Sequence, residues 1–219
     1  MTKEEFQGYR DKYRAQIEAI RQRAHELHDN VNQTYGDYLP YGFHLAMVAE
    51  GVDEFGHLVC VREDDVLPLF FGAFFHDTIE DTRQSYNDVM KEARKWLSEE
   101  QALMATEIVY ALTNDKGRTR AERAGEKYYK GIRATPYATF VKLCDRLANV
   151  TYTCSVDSGK SGFRMREVYK SEMPHFLPAL KPEDDDPRKQ LPFEVIMAMA
   201  EVLIDEVDRD EVRRQWGEY

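Results

Sequence analysis

His76, Asp77, Glu80 and Asp81 place four ionisable side chains within six residues. They close a segment, residues 66–75, that is apolar on nearly all sides apart from Pro68. A buried helix ending in so many charged groups is costly unless the groups are used. On one continuous helix over residues 66–80, His76 and Glu80 share a face, as do Asp77 and Asp81. Such a segment can offer two ligands to a metal ion and two carboxylates beside it. Asp145 is a second centre. It lies among apolar neighbours, with Lys142 three residues before it and Asn149 four after it on the same helix face. His44 is a third, an imidazole within the apolar stretch 40–49. Each has a plainer reading alone: a core histidine bonded to a carbonyl, or an aspartate that caps a helix or pairs with a cation. The metal reading rests on their combination and order.

The elements that must position these residues read as helices. Phe6, Tyr9, Tyr13, Ile17, Ile20, Ala24, Leu27 and Val31 recur at steps of three and four, which predicts one long first helix. A polar, glycine-containing stretch at 32–40 ends it. A helix is predicted at 41–50 and a brief strand at about 58–61. The acidic start Glu63-Asp64-Asp65 leads into the buried helix 66–80. Helices follow at 86–97 and 98–112, the second with Ser98 as its N-cap. Residues 116–133 are charged and helical in pattern, weakened by Gly125. Thr135-Pro136 reads as cap and first-turn proline of the helix bearing Phe140, Val141, Leu143, Leu147 and Val150. A Ser/Gly loop is predicted at 155–162, a helix at 164–180 kinked or broken at Pro174, a loop at 181–192, and a last helix at 191–216. The expectation is an all-α bundle forming a single domain over residues 1–219, with its motifs between about 20 and 180.

Three ordered motifs then carry a resemblance. They are Pro40-Tyr41-Gly42-Phe43-His44, His76-Asp77-Thr78-Ile79-Glu80-Asp81-Thr82, and Lys142-Leu143-Cys144-Asp145-Arg146-Leu147-Ala148-Asn149. The set resembles the HD-domain metal phosphohydrolases. Within them it is most similar to the hydrolase domain of the RelA/SpoT alarmone enzymes and to the stand-alone small alarmone hydrolases. Leu112-Thr113-Asn114-Asp115, Glu122-Arg123, and Tyr169, Glu172 and Phe176 match further segments.

The resemblance implies an HD-type helical bundle in which His44, His76, Asp77 and Asp145 bind one divalent metal. Mn²⁺ is expected first, with Fe²⁺, Zn²⁺ or Mg²⁺ as alternatives. No cysteine stands among the four, which removes a soft ligand. Glu80 and Asp81 match the catalytic acid pair. Lys142 and Asn149 would meet the substrate's phosphates or ribose, with Arg146 and Arg123 as a local basic rim and Arg118 and Arg120 on a solvated face. The implied reaction removes the 3′-diphosphate of a (p)ppGpp-like nucleotide as pyrophosphate. The substrate-reading positions differ from the family. Tyr35-Gly36 stands where Arg-Lys is usual, so Tyr35 could stack on a purine but supplies no charge. Leu45, Ala148 and Thr151 replace the common proline, histidine and arginine. The alternatives are therefore the same chemistry on an adenosine alarmone, the 2′-phosphate of NADPH or a nucleoside monophosphate, and a non-catalytic HD fold that binds a nucleotide or a partner.

Composition bounds the rest. Thirty Lys and Arg against 40 Asp and Glu give a net charge of −10, which leaves no global basic footprint for nucleic acid. No apolar run approaches the ~20 residues of a membrane span. The polar, acidic N-terminus and an odd count of three cysteines fit a reduced, cytoplasmic protein without a signal peptide. The expected partner is a small nucleotide, with neither nucleic acid nor membrane; no motif assigns an oligomeric state. His25-Glu26-Leu27-His28 has the wrong spacing for a zincin and reads as a polar edge of the first helix. The single Glu172-x-x-His175 pair reads as structural, and Cys144 as a small core residue.

Overall fold

The computed structural model describes residues 1–114, 119–155, 158–204 and 206–216, and only the backbone of Arg120 and Ala121. Asp115 and Arg118, together with the Arg120 side chain, lie outside the described residues. The architecture is an all-α bundle, as the periodicity predicts. Among the described residues the only strands are two of two residues each.

Helix α1 (Lys3–Lys12) opens on a reciprocal cap between Thr2 and Glu5, and α2 (Arg14–Asp29) follows. The single first helix predicted from the apolar period is therefore two. The break falls at Tyr13, whose phenol donates to Glu63 Oε1 at 2.7 Å. The apolar period runs through Tyr13 unchanged and so gives no sign of the break. Residues 32–40 form a hairpin, with β1 (Thr34–Tyr35) antiparallel to β2 (Leu39–Pro40). Helix α3 (Gly42–Phe55) runs past its predicted end. The strand expected at 58–61 does not form. Gly56–Leu58 is a 3-10 turn closed by Cys60 N–H on Gly56 O, and Val59 and Cys60 are buried in the core without a partner strand.

Helix α4 (Val66–Phe75) is buried at every residue. It stops at Phe75, five residues short of its predicted end, and α5 (Thr78–Asp81) begins after a turn at His76-Asp77. A helix apolar on all sides needs apolar neighbours on all sides, which α4 has in this fold. Helices α6 (Tyr86–Ala93) and α7 (Glu99–Leu112) both start on reciprocal caps, Ser85 with Asp88 and Ser98 with Gln101. The charged stretch divides at Gly125 into α8 (Arg120–Arg123) and α9 (Glu126–Ala134).

Helix α10 (Ala138–Tyr152) starts later than Thr135-Pro136 suggests. Thr135 instead closes α9, its hydroxyl donating to Gly131 O at 2.9 Å. Tyr137 stands at the start of α10 with φ +67°, held by its N–H on Arg188 O and its phenol on Asp65 Oδ2, both at 2.6 Å. Those long-range bonds stabilise a left-handed residue that local sequence disfavours. Helix α11 (Gly159–Leu180) takes over the second half of the predicted 155–162 loop and continues through Pro174 and Pro178 without ending.

The last predicted helix is also two, α12 (Phe193–Leu203) and α13 (Arg209–Trp216). Asp208 accepts from the N–H groups of Asp210 and Glu211 and so caps α13. Arg209 and Arg213 lay their guanidinium groups over Phe193, 4.9 and 4.6 Å from its ring centre, which folds α13 back on the start of α12.

α4 is the axis, packed by α2, α3, α7 and α10. Gly72 permits the approach of α7, since a Cβ there would stand 2.7 Å from Ile108 Cγ2. No helix among the described residues is long and apolar enough to cross a membrane.

Candidate metal centre

Three elements converge on one point: α3 carries His44, the turn after α4 carries His76 and Asp77, and α10 carries Asp145. His44 Nε2 lies 3.2 Å from His76 Nε2 and 3.3 Å from Asp145 Oδ1. Asp77 Oδ2 lies 2.9 Å from His76 Nε2 and 3.7 Å from His44 Nε2. His76 Nε2 is 3.8 Å from Asp145 Oδ1. Ligands ~2.1 Å from an ion stand ~3.0 Å apart on the cis edges of an octahedron and ~3.4 Å apart on the edges of a tetrahedron. The five separations span those edges. His44, His76 and Asp145 are buried, their ligand atoms lie within 4.8 Å of one another, and the group can hold a metal ion. Asp77 adds a carboxylate beside both imidazoles. The donors are nitrogen and oxygen alone, because Cys144 packs its sulfur against Gly51.

The turn explains the convergence. On a continuous helix His76 and Asp77 would point about 100° apart. Asp77 instead has φ −98° and ψ 0°, and both side chains reach the same point. The predicted sharing of faces between residues 76 and 80, and between 77 and 81, is lost with the helix.

A second layer orients these groups. His76 Nδ1 lies 2.8 Å from Ala73 O, which fixes that nitrogen as a donor and turns Nε2 toward the other three side chains, where a bound metal would take the place of its proton. The Tyr41 phenol donates to Asp77 Oδ2. Lys142 Nζ donates to Asp145 Oδ2 at 2.8 Å, and Asn149 Nδ2 to Asp145 Oδ1 at 2.6 Å. Burial works to lower His76, but the charges of Asp77 and Asp145 overcome it and hold the imidazole up to about 9. Burial likewise works to raise Asp77, and His76 beside it holds the carboxyl below the usual range. Lys142 does the same for Asp145. Both aspartates are therefore ionised and ready to ligate.

Glu80 is exposed and accepts from Asn114 N–H at 3.3 Å and from Asn114 Nδ2 at 2.9 Å. Asp81 accepts from Gln33 Nε2 at 3.3 Å, and burial with the charges of Asp77 and Glu80 pushes it up to about 6. A cleft of about 580 Å³ opens beside the centre, walled by Glu80, Arg123, Tyr129, Lys142, Asp145 and His175 among others. Glu172 and His175, read as structural from their spacing, both line it.

The residues expected to meet substrate divide. Lys142 lines the cleft. Asn149 lines it too, but its amide is committed to Asp145 on one side and Tyr35 on the other. Arg146 is buried, paired with Glu172 and laid 4.1 Å from the ring centre of Phe176 and 4.9 Å from that of Tyr169. Arg146→Ala is expected to cost about 3 kcal/mol of stability, since it removes a buried guanidinium that pairs with Glu172 and lies over two rings. A melting temperature equal to that of the wild type would contradict this structural role. Tyr35 is absent from the cleft wall and lies on His44.

Several contributors escape sequence reasoning. Tyr41 and Asn114 lie within the quoted motifs without an assigned role, and Gln33 carries no motif at all. His28 overturns its reading as a polar edge. It is fully buried and stacks on Tyr41, ring centres 4.6 Å apart, with neither ring nitrogen bonded among the described residues. Burial lowers it from 6.5 to about 4. Between those values the unfolded chain binds the proton and the folded chain does not, so this stabilisation is complete above pH 6.5 and lost as pH falls to 4. Its size is about 3 kcal/mol. Asp81 acts in the opposite sense over part of that range, so the comparison isolates His28: the stability of His28→Gln should fall less steeply from pH 6.5 to 4 than that of the wild type. Parallel curves in chemical denaturation would remove His28 as the cause.

The chain matches no protein-family model and no curated protein.

Proposed function

We propose that the chain is an HD-type metal-dependent phosphohydrolase acting on a nucleotide, with a (p)ppGpp-like alarmone losing its 3′-diphosphate as the leading substrate. The observation that carries this is the pair of imidazole nitrogens 3.2 Å apart, each 2.9 to 3.8 Å from an oxygen of Asp77 and of Asp145, with Asp145 and Glu80 on the wall of one cleft.

A divalent ion held by His44, His76, Asp77 and Asp145 would acidify water and offset charge on a phosphoryl oxygen. Glu80, held by Asn114 at the cleft wall, orients the attacking water and takes its proton. Asp81 is the second carboxyl of the pair, poised near neutrality behind Asp77. Lys142 uses one N–H on Asp145 and directs its remaining donors to phosphoryl oxygens. Asn149 holds Asp145 in place.

One observation favours a second reading, a substrate with fewer phosphates. Lys142 and Arg146 are each already paired with a carboxylate, and Arg123 is the cleft cation with no described partner. A nucleoside monophosphate or a 2′-phosphate asks for fewer cations than a bis-diphosphate. The test is release of pyrophosphate and phosphate in Mn²⁺ from guanosine and adenosine alarmones, NADPH and nucleoside monophosphates. Pyrophosphate from an alarmone supports the first reading. Phosphate from NADPH or a monophosphate supports the second, and no release from any of them defeats both.

A further inference from the structure

His44 differs from His76 in one respect. A ligating histidine ordinarily donates its other ring N–H to a fixed acceptor, which sets the plane of the ring. His76 has Ala73 O for this purpose. His44 Nδ1 is buried with no hydrogen-bond partner among the described residues. What lies on His44 is an aromatic face: the Tyr35 ring stacks on it with centres 4.7 Å apart and planes 22° from parallel.

The Tyr35 phenol does a second thing. It donates to Asn149 Oδ1 at 2.9 Å. An amide whose oxygen is so engaged must turn its NH₂ the other way. That NH₂ meets Asp145 at Oδ1 and at the backbone oxygen, 2.6 and 2.9 Å away. One tyrosine thus touches one ligand directly and sets another through a single intermediary.

The hairpin is built to deliver this residue. Tyr35 pairs with Leu39 across the two strands. Gly36 follows with φ +60°, and a Cβ there would stand 2.1 Å from Tyr152 Oη. Only glycine lets the hairpin close on Tyr152, whose ring lies 4.5 Å from that of Tyr35.

We propose that Tyr35 is a positioning residue of the metal centre, which fixes the His44 ring by stacking and the Asp145 carboxylate through Asn149, and that it does not stack on a substrate base. This rests on the metal-centre reading above, so the test begins with metal alone. Mn²⁺ is titrated into wild type, Tyr35→Phe, Tyr35→Ala and Gly36→Ala without substrate, and KM and kcat are then measured at saturating Mn²⁺.

Tyr35→Ala should weaken Mn²⁺ binding about 10- to 100-fold, the usual cost of a lost outer partner. Tyr35→Phe keeps the ring and should lose less. Gly36→Ala, which alters no group of the centre, should weaken binding in the same direction. KM at saturating Mn²⁺ should stay at the wild-type value. Unchanged Mn²⁺ affinity in both Tyr35 variants, with KM raised, would overturn the proposal and return Tyr35 to the substrate. Should Tyr35→Ala not fold, Tyr35→Phe and Gly36→Ala decide the matter by the same readouts. A wild-type chain that binds no Mn²⁺ would defeat the metal centre itself, an outcome visible before any variant is compared.

Discussion

Asp77→Ala is expected to lose metal binding and hydrolysis together. Asp77 Oδ2 is the closest carboxylate oxygen to His76 Nε2, at 2.9 Å, and it also faces His44. Its removal takes one donor from a four-donor site and the main counter-charge from beside a buried imidazole. Burial works to lower His76, and the Asp77 charge is the largest influence opposing it. The alanine variant therefore leaves two histidines and one aspartate already shared with Lys142, a set with too little charge to hold a divalent ion tightly. Hydrolysis falls to the background rate because water acidification and phosphoryl charge neutralisation go with the ion. Treatment of the wild type with a chelator should reproduce the loss, and added Mn²⁺ should restore the wild type only. Metal content by elemental analysis and product release are the two measurements. Full activity in Asp77→Ala would end the metal assignment.

Glu80→Gln should separate metal from catalysis. Glu80 is exposed at the cleft wall, and its oxygens bond Asn114 instead of a proposed ligand. Glutamine keeps the size and an oxygen for Asn114 N–H, so Mn²⁺ content should stay at the wild-type level. The amide cannot take a proton from water, and loss of a positioned base costs roughly 10²-fold or more in rate. The readout is kcat at saturating Mn²⁺ beside metal content. Turnover equal to wild type would remove Glu80 from the proton path and move attention to Asp81, whose carboxyl is held up to about 6.

The two variants probe the parts of the centre that were most legible in sequence. His44, His76 and Asp145 meet where the ordered motifs place them, within 4.8 Å of one another. The helices around them were legible for the same reason, that apolar spacing and caps such as Ser98 are local signals. Other features carried no local signal. The break at Tyr13 leaves the apolar period intact, and the late start of α10 answers to Arg188 and Asp65. His28 sits in a charged stretch, and its burial comes from Tyr41 across an interhelical contact.

By itself, the sequence determined that the chain is helical, that α4 is its buried axis, and which side chains could ligate a metal. Periodicity, composition and motif order are properties of the chain read in one dimension, and those conclusions need nothing more. Tertiary structure alone decided how the ligands are held. It ended α4 at Phe75, and the resulting turn sends His76 and Asp77 to one point. It bound Arg146 to Glu172 and two rings. It set Tyr35 on His44 across a hairpin that closes only because Gly36 has no Cβ. Each of these depends on contacts between residues far apart in the chain, and spacing along the chain does not encode which distant groups will meet.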